Sequence, residues 1–216
     1  TGSSRTFKGE EMAGVSAIKN AVDRIKAGQG DLFLVGGAIN AEREDFLLGC
    51  ELTGSLYHGP HKSVWERQAE NGGFIPGSVG LFLVLESSSH AKARGAMPYA
   101  QIGGIASDRS PRAPGDIAAT ASTLLKELPL DTSNRELFVM SGASGVRATT
   151  AEELQFLSNV QKAGIEPVIR AWGSIFGHTH EAHFLVGIAL AALALSKSEF
   201  YPPFDTSGVE HTRKTW

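Results

Sequence analysis

With 216 residues, 42% of them apolar and 20% charged, and a formal net charge of −3, the chain is long enough to bury a sizeable core. It lacks the basic footprint of a nucleic-acid binder. Cys50 is the lone cysteine, which excludes an intrachain disulfide and makes a reducing compartment the default. No stretch pairs a basic segment with an apolar core, and the longest apolar run, Phe184–Leu195, is too short to span a bilayer. The expectation is therefore a cytoplasmic protein without a signal peptide, not membrane-embedded.

Residues 10–28 read as a helix. Val15, Ile18, Val22 and Ile25 recur at three- and four-residue spacing, and Gly28 supplies a stop. The run DLFLVGGA at 31–38 suits a buried strand. Residues 40–72 are polar and irregular, with helical fragments. VGLFLVLES at 79–87 reads as a second buried strand, SSSHAKARGA at 87–96 as a short helical piece, and PYAQIGGIA at 98–106 as another strand. After a loop at 107–115, Ile117–Leu128 reads as a helix and LFVMSGAS at 137–144 as a strand. Thr150–Ala163 follows as a helix capped by its threonine, with early glutamates that suit a helix N-terminus. PVIRAW at 167–172 is a short strand, and His178–Lys197 a long helix, apolar all round and so central. Alternating strands and helices give an α/β class with an at least partly parallel sheet.

The stretch GHTHEAH places His178, His180, Glu181 and His183 within six positions. On a helix, His180 and His183 would share one face and His178 and Glu181 another. The zincin spacing H-E-x-x-H is one residue longer than the H-E-A-H found here. Residues at a helix N-terminus that bond backbone or solvent are the simpler reading, with a metal-dependent hydrolase as the alternative. Gly36-Gly37 lacks a nucleotide-loop spacing, Cys50 lacks a nucleophile's surroundings, and SGASG at 141–145 holds its serine one place early for a hydrolase elbow.

Several blocks, in order, resemble the β-ketoacyl-(acyl carrier protein) synthases, condensing enzymes of the thiolase fold. GSSRTFKGEEMAGVSAI (2–18) is similar to the family's strand and nucleophile turn, and DRIKAGQGDLFLVGGA (23–38) to its next strand. GGFIPGSVGLFLVLESSSHAKARGA (72–96) resembles D-G-F-x-x-G-E-G-A-x-x-L-x-L-E followed by H-A-x-x-R-G-A, matched in full by His90 to Ala96. VMSGASGVRATTAEE falls where the family has N-A-H-G-T-x-T-x-x-G-D-x-x-E. GHTHEAHFLVGIALAALAL lands on its G-H-x-x-G-A-A-G helix, and YPPF follows as the family's P-P does. The resemblance implies a layered αβαβα fold, with about 1–90 ending its N-terminal half and about 91–216 supplying most of its C-terminal half. It implies a single thiolase-like unit, incomplete at both ends, with a piece of a longer chain as the favoured account and partner chains as the alternative.

The same alignment implies where the chemistry departs. The nucleophilic cysteine position holds Glu11, the first histidine position Ser141, and the second is kept as His178. Gly173 replaces the lysine five positions before that histidine, Ser78 the glutamate of G-E-G, and His183 a glycine. A carboxylate cannot form the acyl-thioester, and its anhydride would hydrolyse readily. The resemblance thus implies a condensation-deficient, chain-length-factor-like subunit of fatty-acid or polyketide synthesis. Its implied partners are an acyl carrier protein and, as a homo- or heterodimer, a Cys-containing synthase, with no cofactor or metal. In the family, the strand at about Ser4–Gly9 pairs across the dimer axis. The alternative is residual malonyl-carrier decarboxylation or acyl transfer using Glu11 and His178.

Overall fold

The computed structural model describes residues 2–9 and 11–210. Helix α1 (Met12–Lys26) turns Ala13, Gly14, Ile18 and Ala21 inward and stops before Gly28, whose φ of 66° breaks the helical path. Strand β1 (Leu32–Ile39) follows, then α2 (Glu44–Leu52) and α3 (Val64–Ala69), the helical fragments expected in 40–72. A reciprocal capping box starts α3: Ser63 Oγ accepts from Glu66 N–H, and the Glu66 carboxylate accepts from Ser63 N–H. Next come β2 (Val79–Glu86), α4 (Ser88–Ala93) and α5 (Asp116–Glu127). The chain continues through β3 (Glu136–Ser141), α6 (Arg147–Lys162), β4 (Glu166–Ala171), the single turn α7 (Gly173–Phe176) and α8 (His183–Lys197).

Among the described residues two small sheets result. β1 and β2 pair antiparallel from Leu32↔Glu86 to Ile39↔Val79. β3 and β4 pair parallel from Glu136↔Glu166 to Ser141↔Ala171, with α6 as the crossover between them. Helix α8 packs on β2, on β3 and on α1, so it forms a wall shared by both sheets. One core cluster joins Ile18, Ala21 and Leu185 to Val35 on β1. A second joins Val64 and Trp65 of α3 to Leu157, Ile169 and Ala171. Buried Glu210 binds this second region: its Oε1 accepts from Trp65 Nε1–H at 3.1 Å and from the Ala171 N–H at 2.9 Å.

The structure departs from the sequence expectations in four places. β1 and β2 are not buried on both faces: Leu34 is 65% and Phe82 68% exposed, because α1 and α8 cover only the inner face. Residues 98–106 form no ladder with a described strand; Ile102 and Ile105 pack on the β1–β2 cluster, and Pro129 closes on Gly104. Helix α6 begins three residues early, so Thr150 is not its cap but a buried residue whose Oγ1 accepts from the Gly145 N–H. The run 178–197 is not one helix: His178 forms an isolated β-bridge with Pro76, His180–Ala182 form a 3-10 turn, and α8 starts at His183, with Leu195 55% exposed. Among the described residues no helix is long and apolar enough to cross a membrane.

Candidate active site

The three proposed site positions come from three elements that meet beside α8. Glu11 stands at the head of α1 with helical dihedrals and caps no backbone N–H with its side chain. Its carboxylate nevertheless lies where the helix dipole favours negative charge. His178 is held by its own backbone. Its N–H donates to Ile75 O at 2.7 Å, and its carbonyl accepts from the Gly77 N–H at 3.0 Å. Residue 77 must be glycine, because a Cβ there would meet the Phe176 carbonyl oxygen at 1.9 Å. Neighbouring Ser78 accepts the Ala41 N–H on its Oγ at 2.9 Å, a local structural contact. Gly14 lets α1 lie close on the 181–185 turn, since a Cβ would come within 3.1 Å of Glu181 O.

His178 is only 5% exposed, and its Nε2 lies 2.9 Å from Glu11 Oε1. Burial acts to raise the Glu11 pKa, but the His178 hydrogen bond and the charges of His178, His183 and His180 outweigh it. The carboxyl titrates below its ordinary value. An ionised carboxylate only accepts, so His178 Nε2 carries the proton of this bond. The other nitrogen, Nδ1, is buried with no hydrogen-bond partner among the described residues.

Ser141 ends β3 and is fully buried. Its Oγ donates to Glu153 Oε1 at 2.5 Å and accepts from the Ala143 N–H at 3.1 Å, so both its capacities are used locally. Glu153, on α6, escaped the sequence analysis. Burial, reinforced by the Glu11 charge, raises its pKa against the opposing bond from Ser141. The signal was present: Thr150, Glu153, Leu157 and Val160 share one helical stripe, and the other three are buried.

The histidine cluster packs as rings. His178 lies 4.7 Å from His180 and 4.5 Å from His183, centroid to centroid, while Phe74 and Phe46 flank His180. His180 adopts φ 42°, a left-handed conformation uncommon for a residue with a Cβ. His183 is bound on both nitrogens. Nδ1 accepts from Trp172 Nε1–H at 3.2 Å and Thr179 N–H at 3.3 Å, and Nε2–H donates to Gly142 O at 3.0 Å. With both ring nitrogens committed, His183 offers no free lone pair to a metal ion. Among the described residues no group of three or more His, Cys, Asp or Glu is disposed to hold a metal ion.

Glu86 explains the block matched in full by the sequence. Its carboxylate, at the end of β2, accepts from Arg94 Nε and Nη2 at 2.9 and 2.6 Å and contacts His90 Nδ1 at 2.8 Å. The arginine, aided by the histidine, holds the Glu86 carboxyl down to about 2.

No protein-family model matches the chain. It is 24% identical over 201 residues to a curated Streptomyces rimosus protein named as β-ketoacyl synthase 1 of the oxytetracycline polyketide, covering 88% of this chain and 47% of that one. Among solved structures, a type II polyketide ketosynthase in complex with its acyl-carrier protein aligns with TM-score 0.76 and 20% identity, over 95% of this chain and 55% of that one. A β-ketoacyl synthase from Burkholderia phymatum aligns with TM-score 0.72 and 21% identity, over 94% and 52%. The ishigamide ketosynthase/chain length factor aligns with TM-score 0.70 and 24% identity, over 89% and 49%. The chain therefore has the thiolase-like fold and spans about half the length of the curated relative it matches.

Proposed function

We propose that this chain, a homologue of the β-ketoacyl synthases, is a condensation-deficient member that acts as partner subunit to a Cys-containing synthase working on acyl carrier protein. One observation carries the reading. The head of α1, where the family places its thiol, presents the Glu11 carboxylate, already bonded to His178. A carboxylate at that position is a weak nucleophile and forms no stable acyl intermediate. Ser141, at the first histidine position, is spent on Glu153 and offers no free donor to a thioester carbonyl. What remains is surface, pocket wall and dimer stability. The division near residue 90 into the ends of two thiolase halves, and a cytoplasmic place, belong to the same proposal. Co-expression with a Cys-containing synthase encoded nearby tests it. A stoichiometric complex is expected, and a self-sufficient homodimer that condenses acyl and malonyl groups would overturn it.

One observation favours a second reading. His178 keeps a buried nitrogen, Nδ1, without a hydrogen-bond partner among the described residues. Only as an imidazolium, with a second proton on Nδ1, would the ring donate there to a carbonyl oxygen, and decarboxylation needs that polarisation more than it needs a nucleophile. A malonyl thioester would lose carbon dioxide and take up a proton to leave the acetyl thioester. Carbon dioxide release no faster than from Glu11→Ala removes this reading.

A further inference from the structure

His183 sits 3% exposed between Trp172 and the turn carrying His178, in van der Waals company that leaves little freedom. Trp172 reaches it only because residue 187 is glycine: a Cβ there would lie 2.5 Å from the indole ring. Three groups converge on Nδ1: two N–H donors, and the Thr179 Oγ1 at 3.2 Å, whose hydroxyl can turn to donate as well. The indole N–H of Trp172 and the backbone N–H of Thr179 can only donate, so Nδ1 must be the unprotonated nitrogen. Gly142 O can only accept, so Nε2 must carry the hydrogen. The tautomer follows from geometry. Protonating Nδ1 would set a third N–H against two others in a buried place.

This arrangement links three separate pieces of chain. Trp172 follows β4, Thr179 belongs to the His178 turn, and Gly142 begins the loop from Ser141 to α6. We propose that His183 is a positioning residue for His178: locked as a neutral Nε2–H imidazole, it ties the His178 turn to the Ser141–Gly145 loop and fixes the His178–Glu11 pair. The groups that face it electrostatically are His178, Glu11 and His180. The inference concerns the same site as the partner-subunit reading but does not depend on it, since its test needs no partner, carrier or activity.

The test uses ring 15N–1H correlation spectra of the full chain, with His183→Phe and His183→Gln. Phe keeps the ring volume and loses both nitrogens; Gln keeps a donor for Gly142 O. In the unchanged protein His183 is expected to show the neutral Nε2–H pattern at pH 7, and His178 a protected Nε2–H. In His183→Phe the His178 ring proton should exchange at least tenfold faster, and in His183→Gln it should return to within a few-fold of the original. Leu157→Ala, in the other core cluster, supplies a destabilised control that should leave the His178 signal in place. A cationic or Nδ1–H pattern for His183 at pH 7 overturns the proposal. So does an unchanged His178 signal in His183→Phe, or an equal loss in the Leu157→Ala control.

Discussion

A side chain at Gly173 would place its Cβ 2.6 Å from the carbonyl oxygen of Ala143 and 3.2 Å from Val64 Cγ1. The loop after β3 therefore occupies the space a side chain at this position would need. Gly173→Lys is expected to lower stability by about 1–3 kcal/mol as the loop is forced aside. Thermal melts check this, and an unchanged melting temperature would show that the loop moves freely.

The Glu11–His178 pair predicts unequal effects for two substitutions. Glu11→Ala leaves a buried imidazole with neither nitrogen partnered, costing about 1–3 kcal/mol. Glu11→Gln keeps an acceptor, and its cost should stay below about 1 kcal/mol, since the Glu11 side chain is half exposed. The Glu11 pKa is depressed in the folded state. Its contribution is present above the ordinary carboxylate pKa and is lost as pH falls through the folded value. Chemical denaturation across pH 3–7 should show part of this acid dependence disappear in Glu11→Gln.

Glu153 has the opposite sign. Its folded pKa is raised, so its contribution is full below the ordinary carboxylate value and fades as pH rises through the folded one. Glu153→Gln keeps an oxygen for Ser141 Oγ and removes the ionisation. It should raise stability near pH 8, on the order of 1 kcal/mol, with little change at pH 4. A loss at both pH values would show that the carboxyl itself is needed.

Glu86 should dominate the acid limb of the β2–α4 junction. Its carboxyl falls from an ordinary 4.5 to about 2, so the clamp on Arg94 and His90 holds above the first value and is released as pH drops toward the second. Hydrogen exchange in α4 is expected to accelerate between those pH values, and in Glu86→Gln to be fast already at pH 7.

Local signals carried most of the elements. The stripe Val15, Ile18, Val22, Ile25 placed α1, and apolar runs placed all four described strands to within a residue or a few. The 98–106 strand failed because a ladder depends on a neighbour, which no local pattern reports. The break in the 178–197 helix was invisible because its cause is non-local: Ile75–Gly77 captures the His178 backbone as a bridge. The alignment put Glu11 and His178 at matching positions, and the structure sets them 2.9 Å apart. Glu153 and Trp172 were missed because their roles arise from a partner brought in from elsewhere in the chain.

Helix α8 is the wall on which both sheets lean, and it is made after both of them. A ribosome releasing this chain exposes Leu81, Leu83 and Leu85, and then Phe138 and Met140, before residues 183–197 exist to cover them. Among the described residues each sheet has two strands, a size that holds in water only when packed against a helix. In chain order, the apolar faces of both sheets therefore wait for one helix, residues 183–197, before they are covered.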